Sequence, residues 1–191
     1  MENSETKPAY SLAGTFLIST PQMPDPRFEE HVIYICAHSK EGAMGVAINQ
    51  PHAALTLPEI LRGANLSVPD VSFAPVYMGG PVELESAFIL YKSGYTTEHQ
   101  LDISETVSLT RETRVLEDIS KNQGPKHYLF ILGYTGWGPG QLEHELVHNG
   151  WLTVPADDTI IFSSADTDKW KAAALQLGID ITTYDDVIGY A

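Results

Sequence analysis

Short apolar runs separated by glycine and proline dominate this chain. The runs GTFLIST, HVIYICAH, AMGVAINQP and KHYLFILGY are seven to nine residues long, a length typical of β-strands. Turn-forming segments bound them, among them the proline-rich PQMPDP and the Lys40-Glu41-Gly42 turn. The run KHYLFILGY is apolar almost throughout, which predicts a strand at the centre of a sheet.

Further patterns of this kind place the remaining elements. Strands are predicted at SAFILY, HQLDI, TVSLT, WLTV and TIIFS, and helices at TLPEILRG, RETRVLEDISKNQG, residues 139–148 and DKWKAAALQLG. Because the strands come in clusters, the order favours an α+β fold with a mixed or antiparallel sheet over a doubly wound parallel one. Residues 11–191 are predicted to form a single domain after a polar, disordered N-terminal segment at 1–10.

Charge limits the classes of partner. The 191 residues include 11 Lys and Arg against 25 Asp and Glu, a formal net charge of −14. Nucleic-acid-binding proteins use clustered Lys and Arg to neutralise phosphates, and no such cluster occurs here. Direct binding of nucleic acid or of an anionic membrane surface is therefore not expected.

Two further features of the sequence bear on the cellular location of the protein and on the state of its cysteine. No apolar stretch approaches the roughly 20 residues that span a bilayer, and the N-terminus MENSETKPAYS lacks the apolar core of a signal peptide. A cytoplasmic location is therefore predicted. The single Cys36 lies inside the apolar run VIYICA, which favours a buried structural thiol over a redox-active one.

The segment His144-Glu145-Leu146-Val147-His148 has the H-E-x-x-H spacing of helical zinc sites. On a helix His144 and His148 share one face and could contact one metal ion, with Glu145 as general base toward bound water. A zinc hydrolase would use these three residues.

The surrounding residues oppose that interpretation. Leu142 and Leu146 define the buried stripe of the helix, so both histidines are predicted to point into solvent. A third ligand is also missing, because Trp151 and Val154 stand where the extended motif needs Gly and His. The pattern is therefore interpreted as a chance match, and no metal site is predicted.

Four segments in this order, LAGTFLISTPQMPDPRF, GAMGVAINQP, YMGGPVE and GYTGWGPGQLEHELVHNGWL, resemble the bacterial AlgH/YqgE family. The resemblance extends from about Leu12 to Phe162. It implies an α+β fold in which a mixed sheet curls toward a pseudo-barrel with several short helices around it. It implies no established enzymatic activity, although some members are labelled transcriptional regulators.

The matched residues at strand ends and turns are the candidate site, because such positions often carry function. The candidate ligand-binding residues are Asn49, Gly79, Gly80, Pro81, Gly136, Trp137, Gln141, Glu143 and Glu145. Packing is an alternative explanation for many of them, since turns also need Gly and Pro.

These observations leave several functions open. The leading hypothesis is a non-catalytic binding or regulatory protein that acts through a protein partner or a small molecule. The alternative is a hydrolase or transferase that uses Glu143 or Glu145 as a base. A direct DNA-binding regulator and a zinc hydrolase rank below these. No cofactor is predicted, and the sequence carries no signal for an oligomeric state.

Overall fold

The computed structural model describes residues 10–148 and 150–183. The N-terminal segment predicted to be disordered, apart from Tyr10, therefore lies outside the described residues, as does the chain after residue 183.

Nine strands and five α-helices make up this part of the chain. The strands are β1 (Thr15–Ser19), β2 (Val32–Ser39), β3 (Gly42–Ala47), β4 (Val76–Met78), β5 (Val82–Lys92), β6 (Gln100–Asp102), β7 (Val107–Thr110), β8 (Tyr128–Trp137) and β9 (Trp151–Pro155). The α-helices are α1 (Leu57–Gly63), α2 (Arg114–Ser120), α3 (Gln141–Val147), α4 (Asp158–Phe162) and α5 (Asp166–Leu175). Single 3₁₀ turns lie at Pro26–Phe28 and Ile181–Thr183.

All nine strands belong to one sheet, in the order β6-β7-β5-β8-β3-β2-β1-β9. Neighbours in this order pair antiparallel, whereas β4 lies off the path and pairs parallel with β8. The long strand β8 contacts β3, β4 and β5 and is therefore the centre of the sheet, as its apolar run predicted.

The sheet curls so that distant strands share one core. Phe16 and Ile18 of β1 belong to the same buried cluster as Val107 and Leu109 of β7, although four strands separate β1 from β7 in the sheet. Helices α4 and α5 contribute to this cluster, with Trp170 as their largest member. The predicted α+β class and the sheet curled toward a barrel are therefore confirmed.

Two smaller cores cover the outside of the curled sheet. One lies under α1 and α2 and packs against β4, β5 and β8. The other lies under α3, where Leu142 packs with Leu17, Ile33, Trp137 and Trp151. This third core supports the candidate site, because α3 connects β8 to β9 across it.

A buried lysine fixes α5 to the sheet. The ammonium group of Lys169 donates to the carbonyl oxygen of Ile48 at 2.7 Å and lies 2.9 Å from a carboxylate oxygen of Asp166. The hydroxyl group of Tyr77 donates to the same carboxylate at 3.1 Å. Burial lowers the pKa of Lys169, while the adjacent Asp166 opposes that change.

One strand prediction was wrong. The run TIIFS forms α4 instead, because Pro155 ends β9 and Asp157 then caps a helix. The Asp157 carboxylate accepts from the backbone N–H groups of Thr159 and Ile160, which are free at a helix start. A short apolar run fits a strand and a buried helix equally well, so here the Asp157 cap determines that the run forms a helix.

The longest described helix, α5, has 10 residues. No helix within residues 10–148 and 150–183 combines the length and the apolar character that crossing a membrane requires.

A glycine substitution tests the close packing of β4 on β8. A Cβ atom at Gly79 would lie 2.3 Å from the carbonyl oxygen of Gly133, which is backbone and cannot rotate away. We expect Gly79→Ala to lower the free energy of unfolding by about 1–3 kcal/mol, measured by urea denaturation.

The matched control is Gly63→Ala in α1, where no atom lies within 4 Å of the added Cβ. This change should leave stability unaltered or raise it by up to about 1 kcal/mol, because alanine favours the helix. Equal losses at the two positions would contradict the packing described here.

Burial of Cys36 gives a second prediction. The thiol is 2% exposed, and desolvation raises its pKa to about 12. At pH 8 only on the order of one molecule in ten thousand carries the reactive thiolate. We expect Ellman's reagent to label the folded protein more than about a hundredfold more slowly than the urea-unfolded protein. Rapid stoichiometric labelling in native buffer would rule out the buried thiol.

Candidate functional site

A single carboxylate oxygen joins α3 to two tryptophans. One oxygen of Glu145 accepts the indole N–H of Trp137 at 2.9 Å and that of Trp151 at 3.0 Å. Trp137 ends β8 and Trp151 begins β9, so the carboxylate connects both ends of the crossover that contains α3. The two indoles are 6% and 4% exposed, and each therefore needs an internal acceptor for its N–H.

Gln141 holds this carboxylate from one turn earlier in α3. Its side-chain amide donates to the second oxygen of Glu145 at 2.9 Å, while its amide oxygen accepts from the backbone N–H of Gly138 at 3.0 Å. The four-residue spacing places the two side chains on one helix face. Glu145 thus receives three hydrogen bonds, all from neutral donors.

These residues border a cavity of about 380 Å³, which we call the Trp–Glu cavity. Its lining comes from the proline-rich segment before β2, the turn before β5, the end of β8, α3 and the start of β9. The lining residues are Met23, Pro24, Asp25, Arg27, Phe28, Pro81, Val82, Thr135, Gly136, Trp137, Gln141, His144, Glu145, His148, Gly150 and Trp151.

Aromatic rings form much of the wall. Phe28 and Trp151 have ring centroids 5.6 Å apart and planes inclined at 67°. Trp137 and Trp151 have centroids 6.4 Å apart and planes inclined at 79°. These edge-to-face contacts are favourable for aromatic pairs, and they hold the three rings in fixed orientations.

Charge in the cavity is mostly acidic. Arg27 pairs with Asp25 at 2.6 Å, and this contact lowers the pKa of the Asp25 carboxyl. Within residues 10–148 and 150–183, the hydrogen-bond donors to Glu145 are all neutral. With neutral histidines, the lining therefore carries one net negative charge.

The two candidate bases, Glu143 and Glu145, have different partners on different surfaces of the protein. Glu143 points away from Glu145 and contacts His38 of β2, with 2.8 Å between the carboxylate oxygen and Nε2. The backbone N–H of Leu12 donates to Nδ1 of His38, so Nε2 carries the proton that is donated to Glu143. The backbone N–H of Glu143 and the His38 ring lower the pKa of the Glu143 carboxyl.

Both histidines of the H-E-x-x-H segment are exposed, as predicted from the leucine stripe, but they also line the Trp–Glu cavity. Their ring centroids lie 4.1 Å apart, and Nδ1 of His148 is 2.7 Å from the carbonyl oxygen of His144. Throughout residues 10–148 and 150–183, no three His, Cys, Asp or Glu side chains are grouped closely enough to hold a metal ion.

Asn49 lies apart from the cavity lining and has backbone partners. Its side-chain oxygen accepts from the backbone N–H of Val32 at 2.9 Å, and its amide donates to the carbonyl oxygen of Glu30 at 2.8 Å. The residue is 8% exposed and joins the end of β3 to the start of β2. Its observed contacts are therefore those of a structural residue.

The turn Gly79-Gly80-Pro81 and the end of β8 at Gly136 meet at the cavity. Gly79 and Gly80 approach the backbone of β8, and a Cβ at Gly80 would lie 2.3 Å from Thr135 Oγ1. This approach places Pro81 in the cavity wall beside Gly136. The glycines thus permit the wall to form, whereas Pro81 and Gly136 are part of it.

Sequence reasoning missed the contribution of the proline-rich segment and of Trp151. The sequence predicts only a break between strands at PQMPDP, yet Met23 of this segment and Phe28, two residues after it, line the cavity. Large apolar side chains in a segment with three prolines are the signal that could have indicated this role, because such a segment has little regular structure in which to bury them.

A wider and more open groove lies beside β8, with a volume of about 1020 Å³. It shares Gly136 and Trp137 with the Trp–Glu cavity, and His38 lies in its wall. Arg111 also lines it, with its guanidinium 5.0 Å from the centroid of the Phe88 ring and 3.4 Å from Glu83.

Comparison with known proteins identifies relatives over nearly the whole chain. Residues 16–182 match the model of the DUF179, AlgH-like, family. A UPF0301 protein of Desulfotalea psychrophila is 46% identical over 185 residues, which cover 97% of each chain. A UPF0301 protein of Ruegeria pomeroyi is 44% identical and covers 94% of this chain and 99% of its own.

Solved structures agree with these matches. The solution structure of AlgH from Pseudomonas aeruginosa has a TM-score of 0.76 and 36% identity, covering 95% of this chain and 98% of its own. A crystal structure of a Corynebacterium diphtheriae protein has a TM-score of 0.70 over 92% of this chain and 90% of its own. Its identity is 21%, so this second likeness shows the fold alone.

Removal of the shared acceptor should be costly. Glu145→Ala leaves two largely buried indole N–H groups without their partner, and we expect the free energy of unfolding to fall by about 1–3 kcal/mol. The matched control is Glu143→Ala on the same helix, whose half-exposed carboxylate contacts the largely buried His38 ring, and loss of this one contact should cost only about 1 kcal/mol. Urea denaturation of both variants measures the difference, and a larger loss for Glu143→Ala would refute this assignment.

Proposed function

The chain belongs to the AlgH-like family, a family of uncharacterised function, and we propose that it is a non-catalytic binding protein that holds a small ligand in the Trp–Glu cavity. Small-ligand sites are concave and mostly apolar, with a few fixed polar groups that orient the ligand. The cavity has this composition: its volume is about 380 Å³, and its walls include Phe28, Trp137 and Trp151.

The observation that carries the proposal is the positioning of Glu145 within an aromatic wall. Three donors fix its two oxygens, and the tryptophan rings that supply two of those donors line the same cavity. A rigid polar group in an apolar pocket loses little conformational entropy on binding, which favours affinity and selectivity. This arrangement supports recognition of a ligand.

The same geometry is less suited to a general base. A carboxylate base needs acceptor capacity for the substrate proton, and three hydrogen bonds already occupy most of that of Glu145. Among the described lining residues the only hydroxyl group is that of Thr135, which donates to the Gly79 carbonyl oxygen at 3.3 Å. Glu143 is exposed and its pKa is lowered, which weakens it as a base.

Charge supports a small ligand over nucleic acid. The formal net charge is −14, and the only Lys or Arg among the described residues that line the cavity, Arg27, is paired with Asp25. Phosphate groups would therefore meet a repulsive field with few cationic contacts.

Heteronuclear NMR tests ligand binding through the indole N–H signals. Trp137 and Trp151 report on the cavity, whereas Trp170 donates to the Ser19 carbonyl oxygen in the main core and is an internal control. We expect compounds from a fragment collection covering cationic, neutral and anionic molecules to shift the first two signals only, and to be recovered chemically unchanged.

A cavity-filling variant makes the test specific. The atoms nearest to a Cβ at Gly150 belong to Met23 and Pro24, at the ordinary contact distances of 3.6–3.9 Å, so Gly150→Ala should keep binding. Gly150→Leu extends further into the same space and should abolish the shifts. Failure of every fragment class to shift the Trp137 and Trp151 signals would exclude a small-ligand site, and chemical conversion of a bound fragment would favour the enzyme.

A further inference from the structure

Among the residues that the structure describes, none provides a cationic hydrogen-bond partner for Glu145 in the Trp–Glu cavity. The donors to Glu145 are two indole N–H groups and one amide, all neutral, so none of them offsets the formal negative charge of this carboxylate. Arg27 also lines the cavity, but its guanidinium forms a 2.6 Å contact with Asp25, and these two charges offset each other. A ligand with a positive charge would therefore gain Coulomb energy that a neutral ligand would not.

The wall has the chemistry that attracts organic cations. Ring faces of Trp, Tyr and Phe attract ammonium and guanidinium groups, and quaternary ammonium ligands are recognised by aromatic cages. Here Phe28 and Trp137 are inclined at 67° and 79° to Trp151, so the wall presents aromatic rings in more than one orientation. The guanidinium of Arg27 already lies 5.9 Å from the centroid of Phe28.

We propose that the Trp–Glu cavity binds a small organic cation that carries an alkylated ammonium group. This inference rests on the proposed binding function and specifies its ligand class. The ammonium group contacts the tryptophan rings near Glu145, and the rest of the molecule extends toward Met23 and Gly150. A volume of about 380 Å³ accommodates such a headgroup with an attached organic part.

Anionic ligands fit this site poorly. They would be placed beside the Glu145 carboxylate in a chain of formal net charge −14. The exposed rings of His144 and His148 are the remaining titratable groups in the lining, and they lie outside the hydrogen-bond set of Glu145.

Choline and two matched compounds test the proposal. The first replaces the trimethylammonium group of choline with a tert-butyl group, which keeps the shape and removes the charge. The second, 3,3-dimethylbutanoate (the anion of tert-butylacetic acid, hereafter tert-butylacetate), keeps the tert-butyl group and carries a negative charge. We expect choline to shift the indole N–H signals of Trp137 and Trp151 with saturation and to leave that of Trp170 unchanged. The neutral compound should bind at least about tenfold more weakly.

Variants of α3 assign the effect to one carboxylate. Glu145→Gln keeps the size of the side chain and an oxygen for the indoles, and it should weaken choline binding about tenfold without changing the affinity of the neutral compound. Glu143→Gln, which alters the carboxylate that contacts His38, should bind choline like the wild type. Unchanged positions of the Trp170 signal show that each variant is folded.

The outcomes separate this inference from the proposed function. Equal affinity for choline and its neutral analogue, or tighter binding of tert-butylacetate, would overturn the cationic ligand class and leave a small-ligand site in place. Absence of shifts at Trp137 and Trp151 with all three compounds would also overturn this inference. The fragment experiment then determines separately whether the cavity binds small molecules.

Discussion

Two tryptophan N–H groups share one acceptor, and the candidate site depends on that shared contact. The Glu145 carboxylate accepts the indole N–H of Trp137 at the end of β8 and that of Trp151 at the start of β9. Strands β3, β2 and β1 lie between β8 and β9 in the sheet. Each successive pair in that order is antiparallel, so β8 and β9 run parallel and need a crossover connection. Helix α3 provides the crossover, and its carboxylate fixes the ring at either end.

The same helix gives its two acidic side chains different environments. Glu145 lies within the aromatic cavity and accepts only from neutral groups, whereas Glu143 lies on the outer side and accepts from His38. The two positions are two residues apart, and side chains at that spacing do not share a helix face. One acidic residue therefore supports the cavity, and the other attaches α3 to β2.

The sheet was largely predictable because its strands are short apolar runs bounded by turns. The central position of β8 followed from its continuous apolar character, and the family resemblance implied the curl that the shared core of β1 and β7 shows. The run TIIFS was assigned incorrectly because its pattern suits two structures and the Asp157 cap selects the helix. The choice between strand and helix here depends on the two hydrogen bonds that the Asp157 cap accepts, which periodicity does not reveal.

The candidate site was predictable in part. The glycine turns and the residues of α3 were identified from the sequence, but no pattern showed that Glu145 and Glu143 face different surfaces with different partners. The contribution of Phe28 depends on the path of an irregular segment, which tertiary packing determines. Local sequence rules describe turns and helices, whereas a cavity requires the relative positions of distant segments.

The pairing of β1 with β9 has a consequence for biosynthesis. β1 precedes the other described strands in the chain, yet it pairs along its whole length, from Thr15 to Ser19, with residues 151–155. Its apolar side chains can reach β2 early, but the edge that faces β9 stays open until residues 151–155 have been translated. Trp151 arrives with β9, so a chain terminated before residue 151 has neither the complete cavity nor a covered β1 edge. Such a fragment would be a substrate for chaperones and for quality-control proteolysis.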